Sequence, residues 1–137
     1  MVPAGVWNDV NGEYINAHGG GILLFDSKYY WFGEHRPAKG FSTEVGVTCY
    51  SSTDLCNWRY EGVALSVSEE AGNEIEKGCI MERPKVIYNK RTKKFVMWFH
   101  LEVKAMRLPV REWLSVILRR DLIVLFLRVV SALEYFR

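Results

Sequence analysis

Ile22-Leu23-Leu24-Phe25-Asp26-Ser27-Lys28-Tyr29-Tyr30-Trp31-Phe32-Gly33-Glu34 is the stretch of sequence that decides the fold. It contains two apolar, aromatic runs that are typical of β-strands, and the short polar segment between them has the length of a hairpin loop. Three glycines at positions 19–21 precede the first run, and they allow another backbone to approach closely. The stretch therefore predicts an antiparallel hairpin near the beginning of the fold.

Further strand-like runs come after this hairpin. They occupy residues 45–50, 58–65, 86–89 and 95–101, and turn-forming residues join them in pairs. Short aromatic strands at such regular spacing predict an all-β fold of stacked antiparallel sheets rather than helices.

The composition changes abruptly after Lys104. Every glycine and every asparagine lies before this position, and arginine, leucine, valine and isoleucine dominate the residues beyond it. The apolar residues of the tail fall near a helical period, which is compatible with a helix. The sequence therefore divides into residues 1–104 and a C-terminal tail, residues 105–137, of different character.

Composition excludes several classes of function. The chain has 137 residues, enough for one domain, and its net charge of +2 is too small to indicate binding to nucleic acid or to an anionic membrane. The apolar stretch 113–136 is interrupted by Arg119, Arg120, Asp121 and Arg128, which makes a membrane span improbable. The three cysteines have no metal-binding spacing, so we expect no metal and no cofactor.

A charged cluster stands directly before the strand-like run 86–89. In Glu82-Arg83-Pro84-Lys85 a carboxylate lies beside two cations, and the proline restricts the backbone. Such a cluster can line an active-site cleft, or it can be a surface ion cluster at the start of a strand. Because the cations lower the pKa of a neighbouring carboxyl group, Glu82 suits an anion better than a proton donor.

Five motifs in order resemble a known enzyme family. They are Trp7-Asn8-Asp9, then Ile15-Asn16-Ala17-His18-Gly19-Gly20-Gly21-Ile22, Tyr29-Tyr30-Trp31-Phe32-Gly33-Glu34, Gly46-Val47-Thr48-Cys49-Tyr50-Ser51-Ser52-Thr53-Asp54-Leu55, and Glu82-Arg83-Pro84-Lys85-Val86-Ile87-Tyr88-Asn89. Together they look like the first two blades of glycoside hydrolase family 43, on the branch of the exo-β-1,3-galactanases. The resemblance implies about two blades of a five-bladed β-propeller, with a pocket for an oligo- or polysaccharide at one end of the central channel.

The resemblance also implies roles for individual residues. Glu82 matches the second-blade carboxylate, which would modulate the pKa of the catalytic acid or be an acid itself. Glu34 would accept hydrogen bonds from sugar hydroxyls, and the remaining substrate-binding candidates are His18, Asn16, Arg83 and Trp31. The usual first-blade base of the family falls at His18 or Gly19, so this sequence departs from the common pattern. For His18 the alternative is a brace for the glycine loop, and for Trp31 and Trp98 it is core packing.

The tail has an interpretation of its own. When codons for a family-like continuation are read one nucleotide later, they can encode residues 112–124 and residues 131–137. This agreement predicts that the tail is a frame-shift product unrelated to the propeller. We therefore expect a truncated, inactive fragment of a glycoside hydrolase. The parent enzyme would hydrolyse a galactan-type polysaccharide by an inverting mechanism. The alternatives are a lectin-like carbohydrate-binding module, or an interaction protein whose tail docks on a partner or a membrane surface. The N-terminus lacks a signal peptide, whereas the resemblance implies a periplasmic or extracellular parent.

Overall fold

The fold is built from two four-stranded sheets. The computed structural model describes residues 5–40 and 42–102, together with the backbone of strands 114–118 and 122–127. Sheet A contains β1 (His18–Phe25), β2 (Lys28–Glu34), β3 (Gly46–Ser52) and β4 (Arg59–Ser66) in that spatial order. Sheet B contains β5 (Ile80–Asn89), β6 (Lys94–Glu102), β7 (Leu114–Leu118) and β8 (Leu122–Leu127), in the order β5-β6-β8-β7. The predicted all-β fold is confirmed.

The predicted hairpin is the β1–β2 pair. Phe25 pairs with Lys28, so only Asp26 and Ser27 form the turn, and both have positive φ angles of 49° and 60°. Two central residues of positive φ are typical of the hairpin turn whose twist matches that of the flanking strands. The strand begins earlier than the sequence predicts, because the glycine run is itself part of β1.

The β3–β4 turn is organised by one carboxylate. Asp54 accepts hydrogen bonds from the backbone N–H groups of Cys56 (2.9 Å) and Asn57 (2.8 Å), and from the side chains of Asn57 and Ser52. These donors, the backbone N–H of Asn57 first, hold the pKa of Asp54 well below its usual range. The turn between β3 and β4 is thus closed by local side-chain chemistry.

The main core lies between the two sheets. Buried apolar side chains from both sheets and from the loop between them form one cluster: Val47, Leu65, Ile75, Cys79, Met81, Val86, Met97, Phe99 and Leu101. The edge strands β1 and β5 contact each other beside it. Phe25 of β1 packs its ring 4.5 Å from that of Tyr88 and 4.9 Å from that of Phe95, measured between centroids. Burial of this apolar surface holds the sheets together.

A smaller cluster covers the other face of sheet A. It contains Ile15, Ala17, Tyr50 and Trp58, with Tyr29 and Trp31 packed against them. This arrangement places Trp31 against a core, in agreement with one of the two roles considered for that residue. It also fixes the N-terminal segment on sheet A.

The tail strands of sheet B differ from the prediction. The helix considered for the tail is wrong for residues 114–118 and 122–127, which are strands. Of these, β8 runs parallel to β6, whereas the other strand pairs are antiparallel. A run rich in leucine, valine and isoleucine suits a buried strand as well as a helix, and the edge of β6 offers backbone hydrogen bonds. The other tail residues lie outside the described part of the chain. Within the described part, no helix is long and apolar enough to cross a membrane.

Candidate functional site

A β-bulge interrupts the pairing of β1 with β2. His18 pairs with Glu34 and Gly21 with Phe32, so β1 has one more residue than β2 in this interval. Gly19 adopts a positive φ of 57°, and a β-carbon on Gly20 would overlap the carbonyl oxygen of Phe32. The bulge therefore requires glycine at both positions.

A second bulge interrupts β5 directly opposite. Glu82 pairs with His100 and Lys85 with Trp98, which leaves one extra residue between them. Arg83 has a positive φ of 54° there, and Pro84 is fully buried. Proline is tolerated in a strand at such a bulge because no ladder hydrogen bond is lost. The charged cluster thus lies inside a strand, whereas the sequence suggested that it precedes one.

The two bulges contact each other. The ammonium group of Lys85 donates hydrogen bonds to the carbonyl oxygens of Gly19 (3.2 Å) and Gly20. A β-carbon on Gly19 would lie 3.6 Å from Cγ of Arg83 and 3.0 Å from Oε1 of Glu34. Gly19 is therefore the point at which residues of both sheets meet.

Glu34 is a buried carboxylate at this junction. It is only 5% exposed, although it ends β2 at the edge of the sheet. Arg36 donates two hydrogen bonds to its Oε1, from Nε (3.1 Å) and from Nη2 (2.6 Å). This ion pair compensates for the burial of the Glu34 charge.

Asn16 fixes the partner of this carboxylate. Its Nδ2 donates to the carbonyl oxygen of Arg36 and its Oδ1 accepts from the Arg36 backbone N–H, each at 2.8 Å. Its own backbone is held by the hydroxyl groups of Tyr50 (3.1 Å) and Thr48 (2.6 Å). The side chain that the resemblance assigns to substrate thus positions Arg36, and through it Glu34.

Glu82 stands one position before the second bulge. It is half-buried and lies opposite His100, whose Nε2 is 3.1 Å from Oε1 of Glu102. Directly opposed residues of an antiparallel pair share one face of the sheet, so Glu82 and His100 face the same side. Among the described residues no cluster of three or more histidine, cysteine, aspartate or glutamate side chains could hold a metal ion.

His18 and Trp31 line a separate cleft on sheet A. The cleft has a volume of about 410 Å³, and Trp7 and Tyr14 form its other aromatic walls. The Tyr14 hydroxyl lies 3.3 Å from Nε2 of His18. Burial, and secondarily the nearby Arg36 guanidinium, lower the pKa of His18, which favours the neutral imidazole at neutral pH.

The predicted site residues therefore fall into three groups. Glu34 and Arg83 meet at Gly19 with Glu82 next to Arg83 on β5, His18 and Trp31 line the cleft, and Asn16 lies between them as a brace. Sequence reasoning missed Arg36 and Tyr14. Both residues lie outside the strand-like runs of the sequence, so no local pattern indicated them.

Comparisons with known proteins address the family. No protein-family model matches the sequence. A family 43 β-1,3-galactosidase, solved with galactodeoxynojirimycin, is 68% identical and has a TM-score of 0.74; the match covers 77% of this chain and 30% of that one. An exo-β-1,3-galactanase of Phanerochaete chrysosporium, solved with galactose, is 41% identical over 76% of this chain and 24% of its own, with a TM-score of 0.69.

Two further relatives support the same grouping. An exo-β-1,3-galactanase of Clostridium thermocellum is 44% identical over 74% of this chain and 21% of its own, with a TM-score of 0.65. A raffinose invertase of Escherichia coli is 30% identical over 77 residues, which are 56% of this chain and 14% of that protein. This chain thus spans less than a third of each of these relatives, and the family 43 neighbours are five-bladed propellers of which it covers a part. These identities and the shared fold confirm the resemblance of the chain to glycoside hydrolase family 43, in its exo-β-1,3-galactanase branch.

Proposed function

We propose that this chain carries one side of the sugar-binding site of a glycoside hydrolase that cleaves terminal bonds of a galactan-type polysaccharide. The supporting observation is the junction of the two bulges, where Glu34, Arg36 and Arg83 meet around Gly19. Bulges commonly occur beside active sites because they redirect side chains. The Glu34 carboxylate and the Arg36 guanidinium group at this junction are an acceptor and a donor of the kind that sugar hydroxyls bind.

The proposed reaction is inverting hydrolysis. Such a reaction needs an acid that protonates the leaving oxygen and a base that activates water, with their carboxyl groups roughly 6.5–9.5 Å apart. Glu82 would serve as the acid or as a modulator of its pKa. The base position of the common family pattern falls at His18 or Gly19, and neither of these residues has a carboxylate side chain.

We further propose that the 137-residue chain does not hydrolyse glycosides. The described sheets correspond to about two blades, whereas the neighbours have five, so the acid–base pair is incomplete within them. The test is turnover of an aryl β-galactoside by the purified chain, with Glu82→Gln as the matched control and a full-length family 43 galactanase as the positive control. We expect both chains to give the background rate. Turnover by the unmodified chain that Glu82→Gln abolishes would refute the proposal.

A second candidate is a lectin-like module that binds carbohydrate without cleaving it. The aromatic cleft beside His18 favours it, because clefts lined by aromatic rings with a few polar groups are typical ligand sites. Saturable binding to galactan without release of galactose would distinguish this function from that of an inactive fragment. Absence of binding at millimolar sugar would exclude it.

The frame-shift origin of the tail remains a proposal. Its support is compositional, since glycine and asparagine are confined to residues before Lys104. The test is the gene: a single-nucleotide insertion or deletion near the Lys104 codon should open a reading frame that encodes further propeller blades. If no such frame exists, the proposal is wrong.

A further inference from the structure

The outer face of sheet A, which is turned away from sheet B, carries exposed apolar side chains. Directly opposed strand residues form two rows across this face: Ile22, Trp31, Tyr50 and Tyr60 in one, and Leu24, Tyr29 and Ser52 in the other. The N-terminal segment packs on the middle of these rows as part of the smaller core cluster. Ile22, Leu24 and Tyr60 at the ends of the rows remain 54%, 58% and 44% exposed. The proposed hydrolysis uses none of these three residues.

Neither row contains a charged side chain. Successive side chains point to opposite faces of a strand, which places the neighbouring Lys28 and Arg59 toward the other face of sheet A. Lys28 forms an ion pair of 3.7 Å with Glu61, whose carboxylate accepts a hydrogen bond from Ser51 on that same face. An exposed apolar patch with its charges kept to the side is typical of a protein interface.

The outer face of sheet B has a different character. Ile87 is 50% exposed there and shares the face with Lys85, because the two residues alternate along β5. Glu82 and its opposed residue His100 lie on that face as well, since His100 alternates with the residue opposite Lys85. An apolar surface that covered these polar groups would bury them without partners, which is unfavourable. The outer face of sheet A is therefore complementary to a second copy of itself rather than to sheet B of another molecule.

The inner face of sheet A shows how such a surface associates, since it packs face to face on sheet B around the main core. On the outer face, four strands about 4.8 Å apart and about six residues long span roughly 20 by 20 Å. Two copies would bury on the order of 800 Å² in total, which is the size of a weak, transient interface. We propose that two copies of this chain form a weak twofold dimer through the outer faces of their A sheets.

The test is sedimentation equilibrium of the full chain at about 10 to about 500 μM. We expect a monomer–dimer equilibrium with a dissociation constant on the order of 100 μM, without larger species, because a twofold interface closes at two copies. Leu24→Glu places a charge in the apolar patch and should weaken association at least about tenfold. Ile87→Glu is the matched control, because Ile87 is similarly exposed but lies on sheet B, and it should leave the dissociation constant unchanged.

Ile22→Glu alters the same face at a second position, so the test holds even if Leu24→Glu does not fold; circular dichroism checks the fold of each variant. A chain that stays monomeric throughout would overturn the dimer and leave a further propeller blade as the occupant of this face. Association that persists in both Leu24→Glu and Ile22→Glu would also overturn it. Larger oligomers that Ile87→Glu disrupts as well would overturn it in favour of a head-to-tail contact between sheets A and B. None of these outcomes depends on sugar binding, so the proposed function stands or fails separately.

Discussion

Asn16→Ala tests whether the Asn16 amide is a brace or a ligand-binding group. The variant removes two partly buried hydrogen bonds to the backbone of Arg36, each 2.8 Å long. A hydrogen bond contributes about 0.5–1.5 kcal/mol net, so the free energy of unfolding should fall by about 1–3 kcal/mol. The same change removes the contacts of Asn16 with the backbone of Arg36, whose side chain holds the buried Glu34 carboxylate.

The assay is urea unfolding followed by far-ultraviolet circular dichroism. Asn57→Ala is the control, since Asn57 lies in an exposed turn where its side chain donates to Asp54 at 2.7 Å. Substitutions at exposed positions usually change stability little, so Asn57→Ala should destabilise the chain less than Asn16→Ala does. If Asn16→Ala unfolds like the unmodified chain but loses affinity for galactoside, the bracing role is refuted and the amide binds sugar.

The first bulge and the cysteines give two further predictions. Gly20→Ala places a methyl group within the radius of the Phe32 carbonyl oxygen, so we expect a loss of more than about 4 kcal/mol of stability, or no folded protein at all. The control is Gly12→Ala, where space is open but φ is +85°. It should lower the stability by only about 1–2 kcal/mol in the same urea assay. Equal effects of the two would contradict the proposed crowding. Burial raises the pKa of Cys49 to about 12 and that of Cys79 to about 11, whereas Cys56 is exposed. Iodoacetamide at pH 8 should therefore label Cys56 alone in the folded chain and all three cysteines in urea, as read by peptide mass spectrometry. Labelling of Cys49 in the folded chain would contradict this prediction.

Local patterns predicted the strands well. The aromatic runs around Asp26 and Ser27 predicted the first hairpin, because the length of the loop and the polarity of its residues are local properties. The turn at Asp54 was equally visible, since the donors that surround its carboxylate come from neighbouring residues. Features of this kind depend on a few consecutive residues and can therefore be recognised in one sequence.

The arrangement of the site could not be predicted in the same way. Pro84 appeared to precede a strand, and its place inside β5 depends on a bulge whose register is set by β6. Asn16 appeared available for substrate until the backbone of Arg36 came within reach of its amide. Lys85 reaches Gly19 only because β1 and β5 pack side by side. These contacts join residues that are distant in sequence, so no local pattern records them.

The tail shows a different limit of sequence reasoning. Its apolar residues fit a helical period, yet Leu114–Leu118 and Leu122–Leu127 are strands at the edge of sheet B. The exposed edge of β6 offers unpaired backbone groups to an apolar segment in either direction, and β8 pairs with it in parallel. Sheet A has the sequential order β1-β2-β3-β4, whereas sheet B has the order β5-β6-β8-β7. An open sheet edge can pair with any strand-forming apolar segment, whatever the evolutionary origin of that segment. The presence of four strands in sheet B therefore does not by itself make the tail part of a propeller blade.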